Sequence, residues 1–195
     1  LLNFVLKGYA VVNISEVVDT AITSISISFV ASTTIMLLSF LMVVVATYKS
    51  NTFQKSLIFL ASCGYAFPGT ILAVGVVVFV GWLNDIFYFH MSYFIGGFLV
   101  LIFAYTLRFL AIGNGSIRSG IIRINPNLID ASRTMGRSFL TTMKKVILPL
   151  TYTNILVGGI LVFVDILKEL PITLLLRPFN FETLATYVYQ YASDE

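Results

Sequence analysis

Four long stretches without a Lys, Arg, Asp or Glu limit what this chain can fold into more than any other feature. They run from 20 to 48, from 56 to 84, from 86 to 107 and from 146 to 164, and they hold 29, 29, 22 and 19 residues. A helix that crosses the hydrocarbon core of a bilayer needs about 20 consecutive apolar residues. The sequence therefore predicts an all-α polytopic membrane protein with four transmembrane helices.

The composition supports a lipid environment. Hydrophobic residues make up 58% of the 195 residues and charged residues 11%, whereas soluble domains hold about 25% charged residues. This excludes an ordinary soluble domain, a disordered chain and a nucleic-acid-binding protein. The lipid bilayer is the first predicted partner.

The distribution of basic residues predicts the orientation, because Lys and Arg collect in cytoplasmic loops. The segments between the first and second spans and between the third and fourth spans hold most of them, and Arg108 is placed near the inner end of the third span. Nine of the 12 basic residues are then cytoplasmic: Lys49, Lys55, Arg108, Arg118, Arg123, Arg133, Arg137, Lys144 and Lys145. The chain is expected to start outside, and residues 168 to 195 are expected on the outer side.

Two of the predicted spans carry local signals. In the first span, Ala21, Ser24, Ser28 and Ser32 form a small-residue stripe that favours close helix packing. In the second span, Pro68 follows Gly64 by four residues and is followed by Gly69, so the sequence predicts a kink or a short unwound turn. This break is either a packing kink or a hinge beside a translocation path, and the sequence leaves both interpretations open.

The segment between the third and fourth spans, about 113–148, is predicted to have structure of its own. Asn125-Pro126 is typical of a helix start, Gly136 of a helix end, and Ser138 of the N-cap of a second helix running toward Pro149. The pattern favours a docking element for a soluble partner. The alternative is a basic loop that anchors to anionic lipid.

Three ionisable residues follow the fourth span. Asp165, Lys168 and Glu169 would share one face if that helix continued. They form either an interfacial ion pair at the outer end of the helix or an outer gate or binding-protein contact. Two carboxylates on one helix face do not make a metal site, so no metal ligands are predicted. No catalytic residues are predicted either.

The inner loop resembles a known motif. Asp130-Ala131-Ser132, then Gly136, then Val146-Ile147-Leu148-Pro149 are similar in type and spacing to the EAA loop of binding-protein-dependent ABC importer permeases. Asp stands for Glu at 130, Ser for Ala at 132 and Val for Ile at 146. Residues 65–75 and 168–179 resemble the ferric-iron branch of that family.

The resemblance implies a type I ABC importer transmembrane domain over 19–195, a periplasmic-side lead-in over 1–18 and a coupling loop at about 113–148. It also implies a final helix beyond residue 195. The loop residues implied in coupling to the ATPase are Asp130, Ala131, Ser132, Gly136, Leu148 and Pro149. A possible outer gate or binding-protein contact includes Asp165, Lys168, Glu169 and Pro171, and the helix break comprises Gly64, Pro68 and Gly69.

The family further implies a multi-pass permease in the bacterial inner membrane. Its partners would be a cytoplasmic ABC ATPase, a periplasmic substrate-binding protein and a second permease half, fused or separate. The chain itself contains no phosphate-binding loop motif, so it is expected to be a transport component without a cofactor rather than an enzyme. The expected cargo is iron(III), with a polyamine, sulfate or thiamine permease as alternative. A secondary transporter is less favoured, because the predicted first three spans have no ionisable residue in their central turns.

Overall fold

The protein was studied as a computed structural model that describes residues 14–48, 52–87 and 97–193. Within these ranges every regular element is helical. The elements are α1 (Ile14–Tyr48), α2 (Thr52–Cys63), a 3-10 turn (Gly64–Ala66), α3 (Gly69–Phe87), α4 (Phe98–Ile122), α5 (Pro126–Thr134), α6 (Phe139–Thr142), a π turn (Met143–Ile147), α7 (Leu148–Leu167), α8 (Pro171–Leu176) and α9 (Leu184–Ser193). Most of the predicted lead-in and the predicted inner charge Lys49 lie outside the described residues.

Four helical segments in the described ranges are long and apolar enough to cross a membrane. They are Ile14–Thr47, Gly69–Ile86, Phe98–Ile122 and Phe139–Leu167. The predicted all-α polytopic class with four spans is confirmed. The second predicted span is divided, because only its part after Pro68 reaches spanning length and the shorter apolar segment Ser56–Ala66 precedes it.

The core lies where α1, α4 and α7 pack against one another. Ser24, Ser28 and Ser32 of the small-residue stripe are buried. Glycines on the neighbouring helices bring the backbones close: a Cβ at Gly113 would clash with Ser39, and one at Gly158 would lie 2.6 Å from the Ser116 hydroxyl. Lipid supplies no hydrophobic drive between helices, so such small residues carry the packing. The packing role predicted for the stripe is confirmed for its three serines.

The third span differs from the prediction. Counting uncharged residues placed it at 86–107, but α4 runs from Phe98 to Ile122, so Arg108 is the eleventh of its 25 residues rather than an inner-end charge. The count failed because it treats every charge as a boundary, whereas a paired arginine can lie inside a spanning helix. The predicted coupling loop is correspondingly shorter, since its first ten residues belong to α4.

The fourth span begins before the predicted one. The helix that Ser138 caps continues through the π turn Met143–Ile147 into α7, as a single segment of 29 residues ending at Leu167. In the π turn the N–H of Leu148 donates to the carbonyl of Met143, five residues earlier. Pro149, which lacks an N–H, follows directly, and the wider turn accommodates it without ending the helix. The predicted course toward Pro149 is confirmed.

Candidate functional site

The coupling loop, here the segment that joins α4 to α7, has the predicted local geometry. The Asn125 carboxamide oxygen accepts a hydrogen bond of 3.0 Å from the N–H of Asn127 and begins α5. Gly136 has a φ of +73° and ends α5 in the left-handed conformation that favours glycine. The Ser138 hydroxyl accepts a bond from the N–H of Thr141 and begins α6. The predicted sequence of helix, glycine turn and helix is confirmed.

Ser132 holds the two short helices of the loop together. Its side chain is buried, and its hydroxyl lies 2.8 Å from the hydroxyl of Thr142 in α6. The backbone carbonyl of Ser132 also accepts a 3.2 Å bond from the N–H of Arg137 across the glycine turn. The serine that stands at 132, where the motif has alanine, thus forms a hydrogen bond within the loop. Its side chain is not presented to a partner in this conformation.

Of the remaining motif residues, Asp130, Ala131 and Gly136 lie in the loop, and Leu148 and Pro149 begin α7. Asp130, Ala131, Gly136, Leu148 and Pro149 are exposed. Two large apolar side chains beside them are also exposed, Leu128 at 50% and Met135 at 71%. Exposed apolar residues around a structured turn are typical of a surface that contacts another protein.

The helix break predicted at Pro68 is an unwound turn. The 3-10 turn Gly64–Ala66 is followed by Phe67 in an extended conformation, and α3 then starts at Gly69. The turn presses against α4, because a Cβ at Gly64 would clash with the backbone carbonyl of Leu107. Gly64 is therefore required by a close approach between two backbones.

Arg108 of α4 contacts this break and the segment after α7. Its Nη1 donates a 3.1 Å hydrogen bond to the backbone carbonyl of Phe67. Its Nε lies 3.4 Å from Oε2 of Glu169, an ion pair in which the side chains are 19% and 8% exposed. Glu169 is thus paired with Arg108 on α4 rather than with Lys168, and the two interpretations of the corner, an interfacial ion pair or an outer gate, stay predictions.

Glu169 is fixed by further contacts in the corner Lys168–Leu170 between α7 and α8. Its carboxylate accepts a 3.4 Å bond from the N–H of Ile172, and its backbone carbonyl accepts a 2.6 Å bond from the hydroxyl of Thr173. The Thr173 hydroxyl is also 2.6 Å from the hydroxyl of Tyr105 on α4. Burial raises the pKa of Glu169, and the nearby Arg108 guanidinium and the Ile172 N–H act in the opposite direction.

Asp165 and Lys168 form a separate ion pair. The Lys168 ammonium lies 2.7 Å from the Asp165 carboxylate, and the Lys168 side chain is 71% exposed. The hydrogen bond and charge of Asp165 raise the pKa of Lys168. The helix face predicted for all three residues depended on a continuing helix, and this condition is not met, because α7 ends at Leu167 and the chain turns before Glu169.

The structure therefore brings together two groups of residues that the sequence treated separately. A Cβ at Gly69 would lie 2.7 Å from Oε1 of Glu169, 2.9 Å from Nη1 of Arg108 and 3.3 Å from Cβ of Pro171. We call the assembled set the membrane cluster: Gly64, Phe67, Gly69, Arg108, Glu169 and Pro171. Sequence reasoning missed Arg108, and the signal that was available was an arginine bordered by apolar residues on both sides.

The cluster contains one cation and one carboxylate, and the described residues contain no group of three or more His, Cys, Asp or Glu side chains that could hold a metal ion. The cluster offers an ion pair between Arg108 and Glu169 and a hydrogen bond from Arg108 to the Phe67 carbonyl. Making or breaking these contacts would hold or release the segments that they join.

Comparison with known proteins gives the family. Residues 8–190 match the model of the binding-protein-dependent transport system inner membrane component. The chain is also similar to the Fe(3+)-transport system permease protein FbpB 2 of Haemophilus influenzae, at 26% identity over 131 residues. That match covers 67% of this chain and 24% of the relative, so the chain spans about a quarter of the relative's length. This multi-pass membrane chain belongs to the family of binding-protein-dependent transport system inner membrane components.

Proposed function

We propose that this chain is the permease part of an ATP-driven importer in the bacterial inner membrane, which takes up iron(III). In this proposal a periplasmic binding protein delivers the cargo, and a separate cytoplasmic subunit hydrolyses ATP. A second permease half, fused or separate, completes the pathway. The observation that carries the proposal is the folded coupling loop with its exposed motif residues.

The loop has the properties that a docking element for an ATPase needs. It projects Asp130, Ala131 and the apolar Leu128 and Met135 to the exterior, while the bond between Ser132 and Thr142 keeps its two short helices together. A preformed element binds with a smaller loss of conformational entropy than a disordered loop. The loop exposes basic residues as well as Asp130, so its charge does not separate the two interpretations, and its folded turn is the feature that favours docking to a protein over adhesion to lipid.

We assign the membrane cluster to a gate on the transport pathway. Glu169 is buried against Arg108 and Gly69, so it is a gate residue in this proposal rather than a contact for the binding protein. Pro171 begins α8 beside it, and Asp165 with the exposed Lys168 faces outward from the same corner. The break at Pro68 then corresponds to the hinge interpretation rather than to a simple packing kink.

Iron(III) is proposed as cargo because the relative is named for Fe(3+) transport. A permease for another small solute, a polyamine, sulfate or thiamine, remains the alternative. The charged residue inside α4 removes the sequence argument against a secondary transporter. That function stays less favoured because it leaves the folded coupling loop without a role.

The coupling assignment is tested by Gly136→Val. A β-branched residue at a φ of +73° is strained, and its side chain would also stand on the docking surface. We expect membrane insertion to persist, while ATPase co-purification weakens by about tenfold and transport is lost. Gly81→Val is the matched control, since Gly81 also has open space around its Cβ position and has no positive φ.

A second variant separates strain from contact. Asn tolerates the left-handed conformation better than Val does. Gly136→Asn should therefore keep the turn but still place a side chain on the docking surface, and it should weaken co-purification less than Gly136→Val. Normal transport and normal ATPase binding by Gly136→Val would reject the docking assignment.

The cargo is tested in cells that lack the intact permease. They should accumulate less radioactive iron at limiting supply, with sulfate, spermidine and thiamine uptake unchanged. Restoring the permease with Glu169→Gln should restore uptake only in part while leaving the ATPase bound. If iron uptake is normal in the deletion strain and uptake of another solute fails, the permease assignment stands and the iron assignment is rejected.

A further inference from the structure

Arg108 is a cation near the middle of α4, a helix that is long and apolar enough to cross a membrane. It lies about 15 Å along α4 from Phe98, at 1.5 Å per residue, near the middle of a spanning helix. Ionisable side chains at such a depth are expensive to bury unless they are paired, and they mark function in membrane proteins. Its role must therefore be sought in the two groups that it contacts.

The first group is the carbonyl of Phe67, which the helix break leaves outside the helical ladder. The hydrogen bonds of α3 begin one residue later, with the N–H of Leu72 donating to the carbonyl of Pro68 at 3.1 Å. A backbone carbonyl within the membrane needs a donor from neighbouring protein. The Arg108 guanidinium supplies this donor at 3.1 Å.

The second group is the carboxylate of Glu169, which follows α7. A buried carboxylate requires a compensating charge, and Arg108 lies 3.4 Å away on a different helix. The other charged group near the corner is Asp165, and its partner is Lys168. Arg108 therefore contacts two acceptors that belong to different segments of the chain.

The contact between the two acceptor segments is direct. Gly69, the first residue of α3, leaves room for no side chain between Glu169 and Arg108. The helix break and the corner thus pack against each other with Arg108 between them. The planar guanidinium suits this place, because it holds two acceptors in a fixed geometry that the point charge of a lysine does not reproduce.

We propose that Arg108 is a positioning residue for transport, whose guanidinium joins the helix break Gly64–Gly69 to the corner Lys168–Leu170 so that both move as one unit. This proposal rests on the proposed function in one respect: it assigns the movement of the joined unit to the transport cycle. The joining itself is independent of which solute is carried.

The test uses the full-length permease in its assembled transporter, in membrane vesicles. Cys63 is replaced by serine, and Ala73→Cys in the first turns of α3 serves as the reporter. The Ala73 side chain is buried, so its labelling by a water-soluble maleimide reports how far the break opens. Arg108→Gln should speed this labelling by about tenfold, as expected for losing a hydrogen bond that a charged group donates.

Arg118→Gln is the matched control. Arg118 lies on the same helix, is exposed and makes no ion pair within the part of the chain that the structure describes. The reporter in this control should label within about twofold of the parent rate, which corresponds to about 0.4 kcal/mol. Uptake by the same vesicles should fall in Arg108→Gln and not in the control.

Two further variants keep the proposal testable if Arg108→Gln does not insert. Arg108→Lys keeps the charge, but its ammonium reaches one acceptor at a time, so labelling should still be faster than in the parent. The double variant Arg108→Gln with Glu169→Gln removes both charges and leaves the Phe67 carbonyl unjoined, so it should also label fast. If both variants label at the parent rate, Arg108 does not join the two segments and the proposal is overturned.

The two assignments fail separately. If the unmodified permease takes up no iron(III), the proposed cargo is wrong, while the labelling rates still decide the role of Arg108. If the labelling rates change as expected and uptake by Arg108→Lys equals that of the parent, the joined unit does not take part in transport and the proposal is overturned in that respect.

Discussion

The coupling loop and the membrane cluster are built in opposite ways. In the loop, Asn125, Gly136 and Ser138 fix the backbone within a few residues of their own positions. The hydrogen bond between Ser132 and Thr142 joins residues that are ten apart. In the cluster, Arg108 bonds to a carbonyl 41 residues earlier and faces a carboxylate 61 residues later in the chain. Local chemistry determines the first region, and the arrangement of whole helices determines the second.

This difference has a consequence for how each region responds to change. A substitution of a capping residue in the loop should affect mainly the loop, because the hydrogen bonds of these residues join parts of the loop itself. A substitution in the cluster should affect several helices at once, because each member closes a contact between distant segments. Two variants test this contrast, and a third tests the small-residue stripe of α1, in order of decreasing effect.

Gly64→Ala should have the largest effect. A Cβ at this position would clash with the carbonyl of Leu107, which is backbone and moves only with α4. We expect a loss of about 1–3 kcal/mol in stability, as found for overpacked sites, seen as a lower melting temperature of the purified permease. Gly75→Ala is the control, since Gly75 has open space around it. Equal melting temperatures for the two variants would contradict the close approach.

Asn125→Ala should have a moderate effect confined to the loop. Loss of an N-cap costs about 1 kcal/mol in helix stability, and α5 has only nine residues. The ATPase should co-purify less well, while the melting temperature of the membrane part stays unchanged. Asn127→Ala is the matched control, because Asn127 takes part in the cap through its backbone N–H. A melting temperature lowered as far as in Gly64→Ala would break the contrast between the two regions.

Ser28→Ala should have the smallest effect, with the opposite sign. The Ser28 hydroxyl is buried in the small-residue stripe and has no hydrogen-bond partner among the residues that the structure describes. Removing a buried polar group without a partner is neutral or stabilising, by up to about 1 kcal/mol. Ser24→Ala is the comparison, because the Ser24 hydroxyl accepts a 2.7 Å bond from the N–H of Leu184 and should lose stability. A destabilised Ser28→Ala variant would show that this hydroxyl has a partner.

What the sequence could predict follows the same division. Asn125, Gly136 and Ser138 were identified correctly because capping residues act on the backbone next to them. The break at Pro68 was also predictable, since a proline removes a donor wherever it lies in a helix. The four spans followed from apolar length alone, although the boundaries of the third were displaced.

The pairing of Arg108 with Glu169 was not predictable, because nothing local to either residue indicates the other. The position of a residue along a spanning helix depends on where that helix starts. The predicted start of the third span was residue 86, whereas α4 starts at Phe98. The separation of Glu169 from Asp165 and Lys168 was missed for a related reason. The apolar pattern does not show that α7 ends at Leu167, and the residue after that end turns toward α4.

The uninterrupted helix from Phe139 to Leu167 gives the two regions a common mechanical element. It passes through the π turn without a break, and its 29 residues span about 43 Å at 1.5 Å per residue. One end belongs to the coupling loop and the other end is the corner that carries Glu169. In the proposed function the helix is therefore a lever arm: a tilt imposed at the end that joins the loop would displace the Glu169 corner at the opposite end.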